Sequence, residues 1–316
     1  MENKKYVIGA DIGGTTVKLG LFEEDGTLLE KWEIPTVIEG DGTAVLRDIA
    51  AEIQKCREKH NIPADGILGV GAGIPGPVTA DGVVHRCVNL GWGVFDVRTA
   101  LEETVGLPVV VVNDANAAAM GEAWKGGGRG SENVVFITLG TGVGGAVISD
   151  GRMVAGANGA AGEFGHMTIN PAETETCACG RRGCVQQYVS ASGIARLARK
   201  YLAEHEGGSA LRSVEKLTTK DVFDAAKNGD SAANAILENV YDAFGYAISA
   251  VCTVADPEVV VIGGVSKAGE MLVEGAKKGF LKYVFYPSTD VRFNLAVLGN
   301  DAGIYGCCKL LLDSLA

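Results

Sequence analysis

The chain has 316 residues, 47% of them hydrophobic and 21% charged, with a formal net charge of −11. That length allows two domains with separate cores, and the composition is that of a globular protein. The negative charge speaks against nucleic acid or an anionic membrane as partner, so any phosphate must be gripped locally by backbone amides, helix ends or a metal ion.

The N-terminal apolar run is broken at Asp11, unlike a signal peptide, and no stretch is long enough to span a bilayer. The eight cysteines are therefore expected in a reducing, cytoplasmic setting, as ligands or buried thiols.

Residues 5–34 read as strand, glycine loop, strand, turn and strand. The loop is Asp11-Ile12-Gly13-Gly14-Thr15-Thr16; apolar Val17, Leu19 and Leu21 then alternate as in a half-buried strand, and Asp25-Gly26 is a hairpin turn. In Rossmann and P-loop motifs the glycine loop opens a helix, whereas here it opens a strand. A helix is expected over about 43–59, with Val45, Leu46, Ile49, Ile53 and Cys56 on one face. A short strand at 67–74 ends in the rigid turn Pro75-Gly76-Pro77, and Asp96 caps a helix to about 105. VVVVND, ending at Asp114, is the continuous apolar run of a strand buried on both faces. A helix follows it and stops at KGGGRG, a boundary candidate.

The second half opens with NVVFITLGTGVGGAVI, the same strand, Gly/Thr loop and strand, which implies a duplicated fold whose lobes each present a glycine loop to a shared cleft. The pattern turns helical from 186, with the clearest helix over about 232–254. EVVVIGG is a buried strand ending in the loop Gly263-Gly264-Val265-Ser266; a late strand at 291–297 and a closing helix at 303–312 complete the chain.

Three glycine loops, each following an apolar strand, describe a nucleotide lying across a cleft. Glycine lets N–H groups converge on an anion, the threonine hydroxyls add donors, and Asp11 can hold Mg2+ through water. Asn113-Asp114 marks the carboxyl end of a strand, where open α/β sheets place ligands. Asp114 is either a helix N-cap or a general base for an alcohol. The turn at Gly73 and Asn89 lie near the same strand ends.

EFGHMTINPAETETCACGRRGC, from Glu163 to Cys184, spaces Cys177, Cys179 and Cys184 as C-x-C-x4-C, with Gly180 and Gly183 in the second gap. Glycine permits the tight turns that bring such sulfurs together, and His166 can supply a fourth ligand. Cys3His is a closed, structural zinc set. Pinning His166 would also hold Glu163, three residues before it, and the pair would read hydroxyl groups. His60, His85 and His205 are read as surface or core residues, and the other five cysteines as packing residues.

At GADIGGTTVKLG, GIPGPV, VNLGW, VNDANAAAMGE, LGTGVGGAV, GEFGHM and CACGRRGC the chain resembles the ROK family of bacterial sugar kinases and repressors, nearly end to end. Asn89-Leu90-Gly91-Trp92 makes it most similar to the family's glucokinases. The resemblance implies a two-lobed α/β fold of the actin-like, ribonuclease H-like ATPase type, with a smaller lobe of residues 1–120 plus 302–316 and a larger lobe of 121–301. It implies ATP-dependent phosphorylation of a hexose at O6, glucose first, with N-acetylmannosamine, mannose or allose as alternatives.

By the same resemblance Asp114 is the catalytic base. Gly73, Asn89, Asn113, Glu163, His166 and Gln186 face the sugar, and His166, Cys177, Cys179 and Cys184 hold zinc. The nucleotide falls to Asp11, Gly13, Gly14, Thr15, Thr16 and Lys18, to Gly140, Thr141, Gly142 and Gly144, and to Gly263, Gly264, Val265 and Ser266. Mg2+ accompanies ATP, and a homodimer or homotetramer is implied. The family usually has Glu where this chain has Gln186, and an uncharged amide holds a hydroxyl less strongly. The family's repressors carry an N-terminal helix-turn-helix, for which a first strand beginning near residue 5 leaves no room. The rival reading is a non-catalytic sugar sensor, against which the intact Asp114 motif stands.

Overall fold

The structure is a computed structural model that describes residues 4–39, 42–264 and 268–316. It divides into two compact units: Met1–Gly130 with Met153–Ala161 and Leu298–Ala316, and Ser131–Arg152 with Gly162–Val297.

The first unit contains β1 (Tyr6–Ile12), β2 (Thr16–Glu23), β3 (Leu28–Pro35), α1 (Ala44–Lys59), β4 (Ile67–Ile74), the short pair β5 (Val83–Val84) and β6 (Phe95–Asp96), α2 (Val97–Val105), β7 (Val109–Asn113) and α3 (Asp114–Lys125). Its main sheet runs β3-β2-β1-β4-β7. Tight turns join β1, β2 and β3 antiparallel, whereas the longer segments carrying α1 and α2 bring β4 and β7 in parallel to β1. The register sets Asp11 opposite Lys18 on one side and Gly73 on the other, with Ile74 opposite Asn113. Candidate residues distant in sequence therefore share one end of the sheet.

Ile8, Ile12 and Leu19 pack with Leu46, Ile49 and Leu101 from α1 and α2. Val110 and Val112 are only partly buried, because β7 is an edge strand; the expectation of burial on both faces fails there.

The second unit contains β8 (Val134–Leu139), β9 (Val143–Ser149), β10 (Arg152–Met153), α4 (Gln186–Val189), α5 (Ala191–Glu204), α6 (Thr219–Lys227), α7 (Ser231–Ala255), β11 (Val259–Gly263), α8 (Gly269–Phe280) and β12 (Arg292–Leu295). Its sheet order, β10-β9-β8-β11-β12, repeats that of the first unit, with β8 and β9 antiparallel as β1 and β2 are, and β11 and β12 added in parallel as β4 and β7 are. The expected duplication is thus present as two sheets of ribonuclease H-like order. Ile236, Val240, Phe244, Ile248 and Val251 of α7 share a core with Ile137, Val260 and Ile262.

The closing helix, α9 (Ala302–Leu315), belongs to the first unit. It lies so close to the sheet that a Cβ on Gly71 would meet the Cys307 carbonyl oxygen at 1.9 Å, and one on Gly9 the Ile304 oxygen at 2.3 Å. Buried Glu122 of α3 accepts hydrogen bonds from the N–H groups of Gly127 (2.9 Å) and Leu298 (2.7 Å), tying together two ends of this unit. Among the described residues no helix is long and apolar enough to cross a membrane.

Candidate active site and metal centre

Strand ends of the first unit gather one group of side chains. Asn113 has extended backbone dihedrals (φ −65°, ψ 144°), so it is the N-cap of α3 and Asp114 is the first helical residue. Asn113 Oδ1 accepts from the N–H groups of Ala115 (2.9 Å) and Asn116 (3.1 Å), while Nδ2 donates to the Gly76 carbonyl and to Asp114 Oδ1, both at 3.0 Å. That uses both donors and both acceptor sites of the amide. Asp114 is held in turn, since Oδ1 also accepts from the Ala115 N–H at 2.8 Å.

Asp11 is at the end of β1, and a Cβ on Gly303, in the first turn of α9, would come within 2.7 Å of its Oδ2. Burial pushes the Asp11 carboxyl above its usual range, Lys18 opposes that, and the negative charge of Asp114 reinforces it. Lys18 Nζ also donates to the Asn300 carbonyl at 3.2 Å. The loop at Gly13–Thr16 closes through a Gly13 N–H to Thr16 carbonyl bond of 3.0 Å, and exposed Gly14 lies against Asn89, whose Cβ would be 2.9 Å from a Cβ on the glycine. Thr15 is exposed beside it. Gly73 is buried between Cys307, Ala117 and Asp11.

The second unit carries the other two glycine loops. Gly140 N–H donates to the Gly142 carbonyl at 3.0 Å; Ala191 N–H donates to the Gly140 carbonyl at 2.9 Å and Ser192 Oγ to the Thr141 carbonyl at 2.7 Å. The loop is therefore fastened to the start of α5, and a Cβ on Gly142 would lie 3.0 Å from Gln186 Oε1. Gly144 continues it into β9. Gly264 has φ +79° and abuts the Leu139 carbonyl, which a Cβ would meet at 2.3 Å. Val265 and Ser266 lie outside the described residues.

Between these loops is a cavity of about 230 Å³, floored by Leu139, Ile194, Phe223 and Leu272 and rimmed by Gly264, Thr219, Lys220 and Asp224. Its size and apolar floor suit one flat ring system. The α6 residues were not foreseen: the capping box of Thr218 and Asp221 announces a helix but not what its side chains face.

His166, Cys177, Cys179 and Cys184 offer ligand atoms within 4.8 Å of one another. The cysteine loop is a small ladder: Thr168 bridges Cys184, Thr176 bridges Arg182, and Cys177 N–H donates to the Arg181 carbonyl at 2.7 Å. Gly180 and Gly183 take φ of +84° and +71°, and a Cβ on Gly183 would overlap the Asn170 oxygen at 1.8 Å. Cys179 Sγ lies 3.6 Å from Cys184 Sγ, and Gln186 Nε2 donates to Cys177 Sγ at 3.0 Å. Burial pushes the Cys184 thiol up to about 12. Burial also works against Cys177, but the Cys179 N–H, the Gln186 amide and the neighbouring thiols hold it down at about 7.

His166 Nδ1 is buried without a hydrogen-bond partner. Three sulfurs and an orphaned imidazole nitrogen fit a tetrahedral metal ion. Glu163 is exposed at the head of the same one-turn helix as His166, and that turn is seated on β9 through close contact of Phe164 with Gly145. Among the other histidines, His60 Nε2 lies 2.6 Å from Glu30 and His205 stacks on Tyr201, partners that sequence distance and surface placement had hidden. The five cysteines expected to pack are all buried.

A model of the ROK family matches residues 7–314. A glucokinase of Halalkalibacterium halodurans is 41% identical, over 96% of this chain and 93% of its own. A ROK family glucokinase from Streptomyces griseus, solved with glucose and AMPPNP, is 31% identical with a TM-score of 0.72, covering 96% of this chain and 98% of that one. A ROK hexokinase from Thermus thermophilus is 30% identical with a TM-score of 0.82 over 98% of both chains.

Proposed function

Because the chain belongs to the ROK family, we propose that it is an ATP-dependent glucokinase that moves the γ-phosphoryl group of ATP to O6 of glucose. The observation that carries this reading is Asp114, fixed by Asn113 at the carboxyl end of β7, beside Asp11 and the first glycine loop.

Asp114 takes the proton of the O6 hydroxyl, the O6 oxygen attacks the γ-phosphorus, and the bond from that phosphorus to the β–γ bridging oxygen breaks, releasing ADP. Positioning and charge stabilisation do most of the work in such a transfer. Asn89, Glu163, His166 and Gln186 read the remaining hydroxyls, whereas Gly73, buried and paired with Asp11 and Val112 in the sheet, supports the site from beneath. Asn113, whose bonds are all engaged, reaches the sugar only by giving one up, so we assign it first to holding Asp114. The loops 11–18 and 140–144 hold the phosphates, and the cavity beside Gly263 and Gly264 takes the adenine.

Asp11 is the residue we assign to Mg2+, which when bound neutralises charge on the phosphates. His166, Cys177, Cys179 and Cys184 are assigned to a structural zinc, which ties the turn bearing Glu163 to the cysteine loop. A cytoplasmic homodimer or homotetramer completes the reading; eight free cysteines suit that compartment.

The test is ADP release with ATP and glucose, mannose, N-acetylmannosamine, fructose or allose. Glucose is expected to give the highest kcat/KM, and Gln186→Glu to lower the sugar KM. ADP release that no hexose accelerates would overturn the kinase in favour of a sensor.

A further inference from the structure

Arg196, on α5, reaches both flanks of the cysteine loop. One guanidinium nitrogen donates to Glu175 Oε1 at 2.7 Å; the other donates to Glu173 Oε2 at 3.1 Å and to the Gln187 carbonyl at 3.0 Å. Glu173 Oε2 also accepts from the Tyr188 hydroxyl at 2.7 Å, and its Oε1 from the N–H groups of Thr174 (2.9 Å) and Glu175 (3.2 Å). Gln187 closes the circuit: Oε1 accepts from the Cys184 N–H at 3.1 Å and Nε2 donates to the Glu175 carbonyl at 3.0 Å.

Exposed ion pairs contribute little to stability. This one differs, since Glu173 is 8% exposed and the Arg196 side chain 16%. Removing one partner of such a pair leaves a charge in a poorly hydrated place. Its location adds a second distinction. Glu173 and Glu175 precede Cys177, Gln187 directly follows Gln186, and the N-terminus of α5 holds the Gly140–Gly142 loop. A single side chain thus binds the incoming and outgoing strands of the loop to the helix that also fastens a phosphate loop.

We propose that Arg196 is a positioning residue of the sugar site, fastening the cysteine loop and Gln186 to α5 whether or not a metal ion is bound. The zinc ligands then start from a preorganised loop, and Gln186 keeps its place against the sugar, while His166 and Glu163 still need the metal ion to fix them. This rests on the assignment of the sugar contacts above.

The experiment uses full-length, zinc-loaded protein carrying Arg196→Ala or Arg196→Lys. Arg196→Ala is expected to raise the glucose KM about tenfold, the scale on which partners of metal ligands act. The ATP KM and zinc content stay as in the unmodified protein. Lysine keeps the charge but lacks the planar fork, so Arg196→Lys should recover part of the loss.

Trypsin gives a readout independent of activity, because Arg181 and Arg182 lie exposed in the loop. With zinc chelated, the unmodified loop should still resist cleavage there, whereas Arg196→Ala should be cut quickly. An unchanged glucose KM, glucose and ATP KM values raised alike, or equally fast cleavage of both chelated proteins would overturn the proposal. If Arg196→Ala does not fold, Tyr188→Phe, which removes a single hydroxyl from the network, must shift the glucose KM in the same direction, and no shift there also refutes it. Glu163→Gln separates the two readings. If it leaves the glucose KM unmoved, the sugar site is wrongly assigned; if it raises KM while Arg196→Ala does not, only the clamp fails.

Discussion

Asp11 in the first unit and Glu173 in the second are both carboxylates drawn back from water, and their surroundings push them in opposite directions. Burial raises Asp11, with Lys18 as a partial counterweight and Asp114 as a like charge. Burial would raise Glu173 too, but the Tyr188 hydroxyl, the Glu175 N–H and Arg196 outweigh it and hold the group at about 2. The comparison separates two uses of a withdrawn charge. A carboxylate surrounded by its own donors builds structure; one set beside another carboxylate is placed to receive a ligand, which in the proposed function is a cation with the phosphates.

The largest effect expected from the structural side is removal of metal. If the Cys3His set holds zinc, chelation should destabilise the second unit by at least several kcal/mol and abolish activity, because binding energy at such a site is folding energy. Calorimetry with and without chelator, alongside metal analysis, checks this; active protein lacking zinc would refute it.

Glu173→Gln comes next. Glu173 has its folded pKa lowered, so its contribution is complete above the unfolded value near 4.5 and disappears as pH falls toward about 2. The substitution should cost about 3 kcal/mol at pH 7, with the difference from the unmodified protein shrinking through that window. Urea unfolding at a series of pH values measures it, and a difference that stays constant into acid would break the contrast with Asp11.

The smallest effect has the opposite sign. A carboxylate whose folded pKa is raised favours the folded state in its protonated form, and that preference is lost as pH rises through the folded pKa. Without ATP or Mg2+, Asp11→Asn should therefore melt slightly higher than the unmodified protein at pH 7 and lose that advantage below the usual aspartate range, while turnover falls. Thermal melts at two pH values suffice; a variant less stable at pH 7 would make Asp11 a structural residue.

Much of this could be read from residue order. Strand, glycine loop and strand recur in both halves, and the helices expected at 43–59 and 232–254 are found at Ala44–Lys59 and Ser231–Ala255, because each carries one continuous apolar face. The cysteines could be grouped because thiols so close in sequence, with glycines at the turns, have few other arrangements. Asp114 as cap or as base stayed open, since Asn and Asp cap equally well; the extended backbone at Asn113 gives it the cap. Lys220, Asp224 and Arg196 were illegible for another reason. Charged residues at helical spacing look like a solvated face, and what they meet depends on contacts across the fold. β7 looked central because its valines run unbroken, but edge position is a property of the whole sheet.

The proposed transfer turns on Asp114, and Asp114→Asn tests it most directly, with glucose binding and ADP release measured on the same preparation. Glucose binding should persist while turnover falls by ~10²–10⁴-fold, the usual contribution of a positioned base. Turnover within a few-fold of the unmodified protein would contradict it.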